Sequence, residues 1–116
     1  MKYTKGIPRG NIGASKWNVD ENIAAGQGLF SMPPDRVSMV TVSVHIPEGH
    51  ARFTIETTYS SPWRIGQDGT GGYWDPPDET HTEYTENTNI TIASTVTGVR
   101  VTCLEADKII NVCFAG

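Results

Sequence analysis

Val40-Thr41-Val42-Ser43-Val44-His45-Ile46 and Arg52-Phe53-Thr54-Ile55-Glu56-Thr57-Thr58-Tyr59 decide the fold of this chain. In the first stretch valine and isoleucine alternate with small polar residues and a histidine. In the second, Phe53, Ile55, Thr57 and Tyr59 share one face, and Arg52, Thr54, Glu56 and Thr58 share the other. A period of two marks a strand with one side in a core, because successive side chains point to opposite faces. β-Branched and aromatic residues dominate both, as a pleated, half-buried surface favours. Pro47-Glu48-Gly49 between them supplies a turn, since proline presets one turn position and glycine tolerates a positive φ. The pair is expected to form an antiparallel hairpin.

Strand texture returns towards the C-terminus. Ile90 and Ile92 are in phase over 89–96, and Gly98–Glu105 and Lys108–Ala115 read as a second hairpin closed around Ala106-Asp107. In that register Cys103 opposes Ile110, Val101 opposes Val112 and Val99 opposes Phe114, which gathers six apolar residues on one face. Cys103 and Cys113 then fall on opposite faces and are expected to be free thiols. Several antiparallel strands, with no helical period longer than a turn or two, predict an all-β fold. The expected form is an antiparallel β-sandwich, jelly-roll-like, over residues 35–116, with a small barrel as the alternative.

Residues 1–34 show neither period. Gly6, Pro8, Gly10, Gly13, Gly26, Gly28, Pro33 and Pro34 interrupt them, yet Ile7, Ile12, Trp17, Val19, Ile23, Leu29 and Phe30 recur. A disordered tail would lack that spacing of large apolar groups. The expectation is an extended N-terminal arm that lies against its own domain or a neighbour, with a short strand or turn over 18–26, another over 28–32, and Ile7, Ile12, Trp17 and Ile23 as partner contacts.

Residues 60–86 form a long interruption containing Ser61-Pro62-Trp63, Gln67 to Trp74, and Asp75-Pro76-Pro77-Asp78. Loops longer than about 12–15 residues are uncommon in compact domains and are usually functional or mobile. Trp63, Tyr73 and Trp74 make this loop the expected contact surface, since Trp and Tyr bury much area with little loss of entropy. The alternative for each ring is that it plugs the end of its own core.

Composition narrows the function classes. The chain has 116 residues, enough for one domain, and carries 13 acidic against 9 basic residues for a net charge of -4. The basic residues are scattered, so direct nucleic-acid binding is not expected. No run approaches the ~20 apolar residues of a membrane span, and Met1 to Gly10 holds no signal-peptide core. Synthesis and folding in a cytosol are expected.

The chemistry-bearing residues form no catalytic pattern. His45, His50 and His81 lack metal-site spacing and read as surface histidines. Asp68, Asp75, Asp78 and Glu79 lie among glycines but do not match a calcium loop, so a solvated acidic loop is the stronger reading. There is no G-x-S-x-G elbow, and Gln67–Gly72 lacks the lysine of a phosphate loop. A thiol nucleophile would need a nearby positive charge, with Arg100 the candidate neighbour of Cys113. No enzyme activity, cofactor or metal is expected.

Gly26-Gln27-Gly28-Leu29-Phe30-Ser31, the Val-Thr-Val strand, and Val99-Arg100-Val101-Thr102 followed by Ile109-Ile110-Asn111-Val112 stand behind the Gly/Pro-broken start. Together they resemble small virion structural proteins of tailed bacteriophages, nearest to head decoration or cement proteins. The resemblance covers most of the chain as architecture and texture rather than as a signature motif. It implies a non-enzymatic protein of the virion, made in the host cytoplasm, that stabilises a capsid. The implied partners are the major capsid protein or another virion protein and further copies of the chain, commonly as a trimer. A tail or neck component is the alternative within that class. A carbohydrate-binding β-sandwich using Trp63, Tyr73 and Trp74 is the alternative outside it, and a small hydrolase using His81 and its acidic neighbours stands further behind.

Overall fold

The structure is a computed structural model that describes residues 2–8, 17–34, 37–92 and 95–116. Its elements in chain order are β1 (Lys2–Lys5), β2 (Asn18–Ile23), β3 (Gln27–Ser31), β4 (Val40–His45), β5 (Ala51–Thr58), the one-turn helix α1 (Pro62–Ile65), β6 (Trp74–Asp75), β7 (Thr88–Ile92), β8 (Gly98–Ala106) and β9 (Ile110–Ala115). They make two sheets, one ordered β1-β3-β8-β5-β6 and the other β2-β9-β4-β7. The sheets pack face to face as an all-β sandwich. From β2 onward the antiparallel partners nest, β2 with β9, β3 with β8, β4 with β7 and β5 with β6. β1 is added at one edge, parallel to β3. Among the described residues no helix is long and apolar enough to cross a membrane.

The alternating residues do what their period predicts as far as Thr57; Tyr59, expected on the same face, lies past the end of β5 and is exposed. Val40, Val42 and Val44 of β4 and Phe53 and Ile55 of β5 are buried between the sheets. Val99, Val101, Cys103, Ile110, Val112 and Phe114 are each 0% exposed and meet in the same core. Their pairing differs from expectation. β4 and β5 lie in opposite sheets, as do β8 and β9, so neither pair is a hairpin. Within its sheet Cys103 neighbours Phe53, and Ile110 neighbours Ile23. Alternation reports which face of a strand is buried. It is silent on whether the following strand lies beside it or across the core.

The two crossings run side by side and are laced together. The Asp107 amide donates to the His50 carbonyl at 2.9 Å, the His50 amide donates to Asp107 Oδ2 at 2.8 Å, and Lys108 pairs with Glu48 at 2.6 Å. Both cysteines are free, as expected, but because Cys103 and Cys113 belong to different sheets.

The separate arm over 1–34 is not what the chain forms. Asn18–Ile23 pairs along all of β9, and Gln27–Ser31 lies between β1 and β8. Trp17, Val19, Ile23 and Leu29 are buried in the common core, with Trp17 stacked on Phe114 at 6.3 Å between ring centroids. Gly26, at φ +82°, turns the chain between β2 and β3, while Gly28 lies within β3. Short strands joined by glycine turns leave too little periodicity to read, while their apolar residues still pack. Ile12 lies outside the described residues.

Candidate functional site

The outward face of the five-stranded sheet carries the most elaborate side-chain arrangement in the molecule. On β8 the outward residues are Arg100, Thr102 and Leu104, and on β5 they are Thr54, Glu56 and Thr58. Arg100 pairs across the sheet with Glu56 and across β3 with Phe30. An outward arginine on a central strand would ordinarily be solvated, yet this one is only 9% exposed.

The chain after β5 explains why. The loop from Ser60 to Tyr73 folds back over this face. Ile65, the last residue of α1, is fully buried beneath it. Gly69 passes directly over Phe30, with φ +73° and so little clearance that a Cβ there would come within 2.5 Å of the ring. Arg100 fastens the loop down. Its Nη1 donates to the Gly69 carbonyl at 2.9 Å, and its Nε and Nη2 donate to Glu56 Oε1 at 3.1 and 2.9 Å. The guanidinium also lies over two rings, Trp74 at 4.3 Å and Tyr3 at 4.7 Å from their centroids. Guanidinium suits this role because it donates in a fixed fork and stacks on aromatic faces at the same time. Tyr3 in turn lies on Gly28, where any side chain would collide with its ring.

The three loop aromatics therefore have two fates. Trp74 faces inward, half-buried, with Nε1 donating to the Gly71 carbonyl at 2.8 Å. Trp63 and Tyr73 are each 75% exposed. The Tyr73 backbone is tied to the end of β5: Ser60 Oγ accepts from the Tyr73 amide at 2.9 Å, and the Tyr73 carbonyl accepts from Thr58 Oγ1 at 2.6 Å. Tyr59, 66% exposed, precedes Ser60. The guanidinium of Arg64 covers one face of Trp63 at 4.8 Å. Of the expected contacts in the first 34 residues, Ile7 is 67% exposed, whereas Trp17 and Ile23 are core residues.

Asp68 in this loop and Asp78 after β6 each close their own turn. Asp68 Oδ1 accepts from the amide and hydroxyl of Thr70, and Asp78 Oδ1 accepts from the amide and hydroxyl of Thr80. These bonds favour the ionised carboxylate. Asp68 is lowered from its ordinary value, and Asp78 is lowered to about 2 by Thr80 first and by His81 second. Asp78 Oδ2 is 3.0 Å from His81 Nδ1, and the His81 ring stacks on Tyr84, which stacks on Phe53. This Asp–His pair stands at an open cleft of about 490 Å³ lined by Asp78, His81, Glu83 and Tyr84. Among the described residues no three His, Cys, Asp or Glu side chains converge as metal ligands.

The thiols are placed against reactivity. Burial pushes the Cys103 thiol up, and burial with the negative charge of Asp20 pushes Cys113 up. Arg100 lies on the outward face of the opposite sheet and gives Cys113 no help. The role of Arg100 in the aromatic stack was not visible in the sequence. The available signal was an arginine inside an otherwise apolar and threonine strand, matched in phase by Glu56.

Compared with protein-family models, curated proteins and solved structures, the chain matches none.

Proposed function

We propose that this chain is a non-enzymatic virion structural protein that docks on and stabilises a phage capsid. The observation that carries the reading is the pair Trp63 and Tyr73, exposed on a loop that Arg100 fastens to the sheet. Large aromatic groups held in place before contact lose little freedom on binding, which is what a docking surface requires. Ile7 adds a further exposed apolar side chain. Trp17 and Ile23 leave the docking set because they serve the core, and Trp74 supports the loop from below.

The nested strand pairing supports reading the sandwich as a jelly roll, the architecture that the resemblance to decoration proteins implies. The partner in this reading is the major capsid protein or another head protein, with copies of the chain repeating over the particle. A trimer is the oligomer that the resemblance suggests. A tail or neck position uses the same surface and differs only in where the chain is found.

Antibody against the chain, applied to particles from its source, is expected to label heads at repeated positions. Labelling confined to tails would select the alternative, and particles free of the chain would overturn the reading. Binding to particles stripped of the chain is expected to weaken by roughly thirtyfold or more in a Trp63→Ala, Tyr73→Ala double variant, the effect of losing ~2 kcal/mol at a hot spot.

A further inference from the structure

Beyond the docking loop, the same sheet face carries a second feature. A groove of about 430 Å³ runs across β8 and β5 beside Arg100. Tyr3 stands on one side and Pro76 on the other, with Thr54, Glu56 and Thr102 along the floor. We propose that this groove binds a neutral sugar unit of a glycan.

The chemistry of the floor selects the ligand. Thr54 is half-buried and its hydroxyl engages no partner among the described residues. Both bonds that Arg100 makes to Glu56 land on Oε1, so Oε2 keeps its lone pairs for a ligand hydroxyl. Thr102, itself buried, donates its hydroxyl to Tyr3 at 3.3 Å and so holds that ring at the groove's edge. Closely spaced hydroxyl and carboxylate oxygens match the alternating donors and acceptors around a pyranose ring. The walls match its other property: Tyr3 and Pro76 offer apolar surface to the C–H face of a sugar. Charge points the same way. Arg100 and Glu56 neutralise one another at 2.9 Å, so the groove attracts neither an anion nor a cation and accommodates an uncharged polyol.

The site is also rigid. Its floor lies on two paired strands of the sheet interior, and Tyr3 is held by Gly28, Arg100 and Thr102. A ligand would meet groups already in position, which limits the cost of binding. The volume lies within the range of small-ligand sites.

The test is a titration of the full chain, followed by backbone amide NMR, with the methyl glycosides of glucose, galactose, mannose and N-acetylglucosamine. At least one is expected to shift the amides of Thr54, Glu56 and Thr102 in a saturable way. Thr54→Val keeps the shape of the side chain and is expected to weaken that binding by up to about tenfold, the effect of one hydrogen bond. The Trp63→Ala, Tyr73→Ala variant is expected to bind the sugar as the parent does, which separates this site from the docking loop. The proposal is overturned if a folded parent shows no saturable shift with any of the four. It is equally overturned if the shifts fall only on residues 59–73, or if Thr54→Val binds unchanged.

Discussion

The space between the sheets and the covered patch outside the five-stranded sheet both bury side chains, and they are built in opposite ways. The interior is made of alternating Val, Ile and Phe from both sheets, and it needs only the right residues in the right phase. The outer patch is made of one arginine, one glutamate, two aromatic rings and a glycine that lets the loop descend onto Phe30. Apolar burial is non-directional and tolerates variation in detail. The arginine patch depends on distances and angles, so it holds one loop in one place. The core gives the molecule stability, while the patch gives it a defined surface.

The largest expected effects test where the interior ends. Removing residues 1–31 takes out β1, β2 and β3, uncovers β9 along one edge and β8 along another, and is expected to leave no cooperative unfolding transition. A truncated chain that still melts cooperatively would show that the first three strands are dispensable. Phe114→Ala, at the stack with Trp17, is expected to cost about 4 kcal/mol in denaturant unfolding, as for other buried phenylalanines.

Arg100 comes next. Arg100→Ala removes the attachment of Gly69 and leaves Glu56 without its partner. Glu56 is 23% exposed and can rehydrate, so the expected loss is about 3 kcal/mol, at the lower end for a broken buried pair. Arg100→Lys is expected to recover little, because a lysine cannot make the fork to Glu56 while reaching Gly69. A lysine variant as stable as the parent would show that charge alone holds the loop. Trp74→Ala is expected to cost less, about 1–2 kcal/mol from the lost stacking on Arg100, with larger chemical-shift changes in Gly69 than in Val101.

The same contrast separates what the sequence made legible from what it hid. Val40 to Val44 and Phe53 to Thr57 announced their buried faces, because a period of two survives in any sandwich, whereas Tyr59 continued the pattern in sequence and is exposed. Partner choice was hidden, since an arch and a hairpin bury the same alternating residues. Thus Val99, Val101 and Cys103 were recognisable as core although β9 is not their sheet neighbour. Strands β2 and β3 were legible only as a short strand or turn over 18–26 and another over 28–32; their brevity, with Gly26 and Gly28, hid that they belong to the two sheets. The loop's wealth of aromatics was legible, but its division was not. Trp63 and Tyr73 face water while Trp74 faces Arg100, and that depends on contacts between residues far apart in sequence. Glu56 and Arg100, 44 positions apart, carried no local sign of their pairing.

The smallest expected effect belongs to a turn that neither core covers. Asp78 is exposed, and its carboxylate is lowered to about 2 by the Thr80 hydroxyl, then the Thr80 amide, then His81. In the unfolded chain these partners are absent and the carboxyl titrates near its ordinary 3.8. A group whose folded pKa is depressed adds stability that is present above the unfolded value. That contribution declines as pH falls below about 4 and is gone once pH has passed through about 2. Titration of the Asp78 side-chain carbon by NMR is expected to give a midpoint near 2. Thr80→Ala removes the leading cause and should move the midpoint towards 3.8, and His81→Asn should move it less. If the histidine variant moves it further, the turn is held by the ion pair with His81 rather than by the threonine. The open cleft beside Tyr84 would then be organised by charge, in contrast to the patch around Arg100, where the geometry of the fork decides.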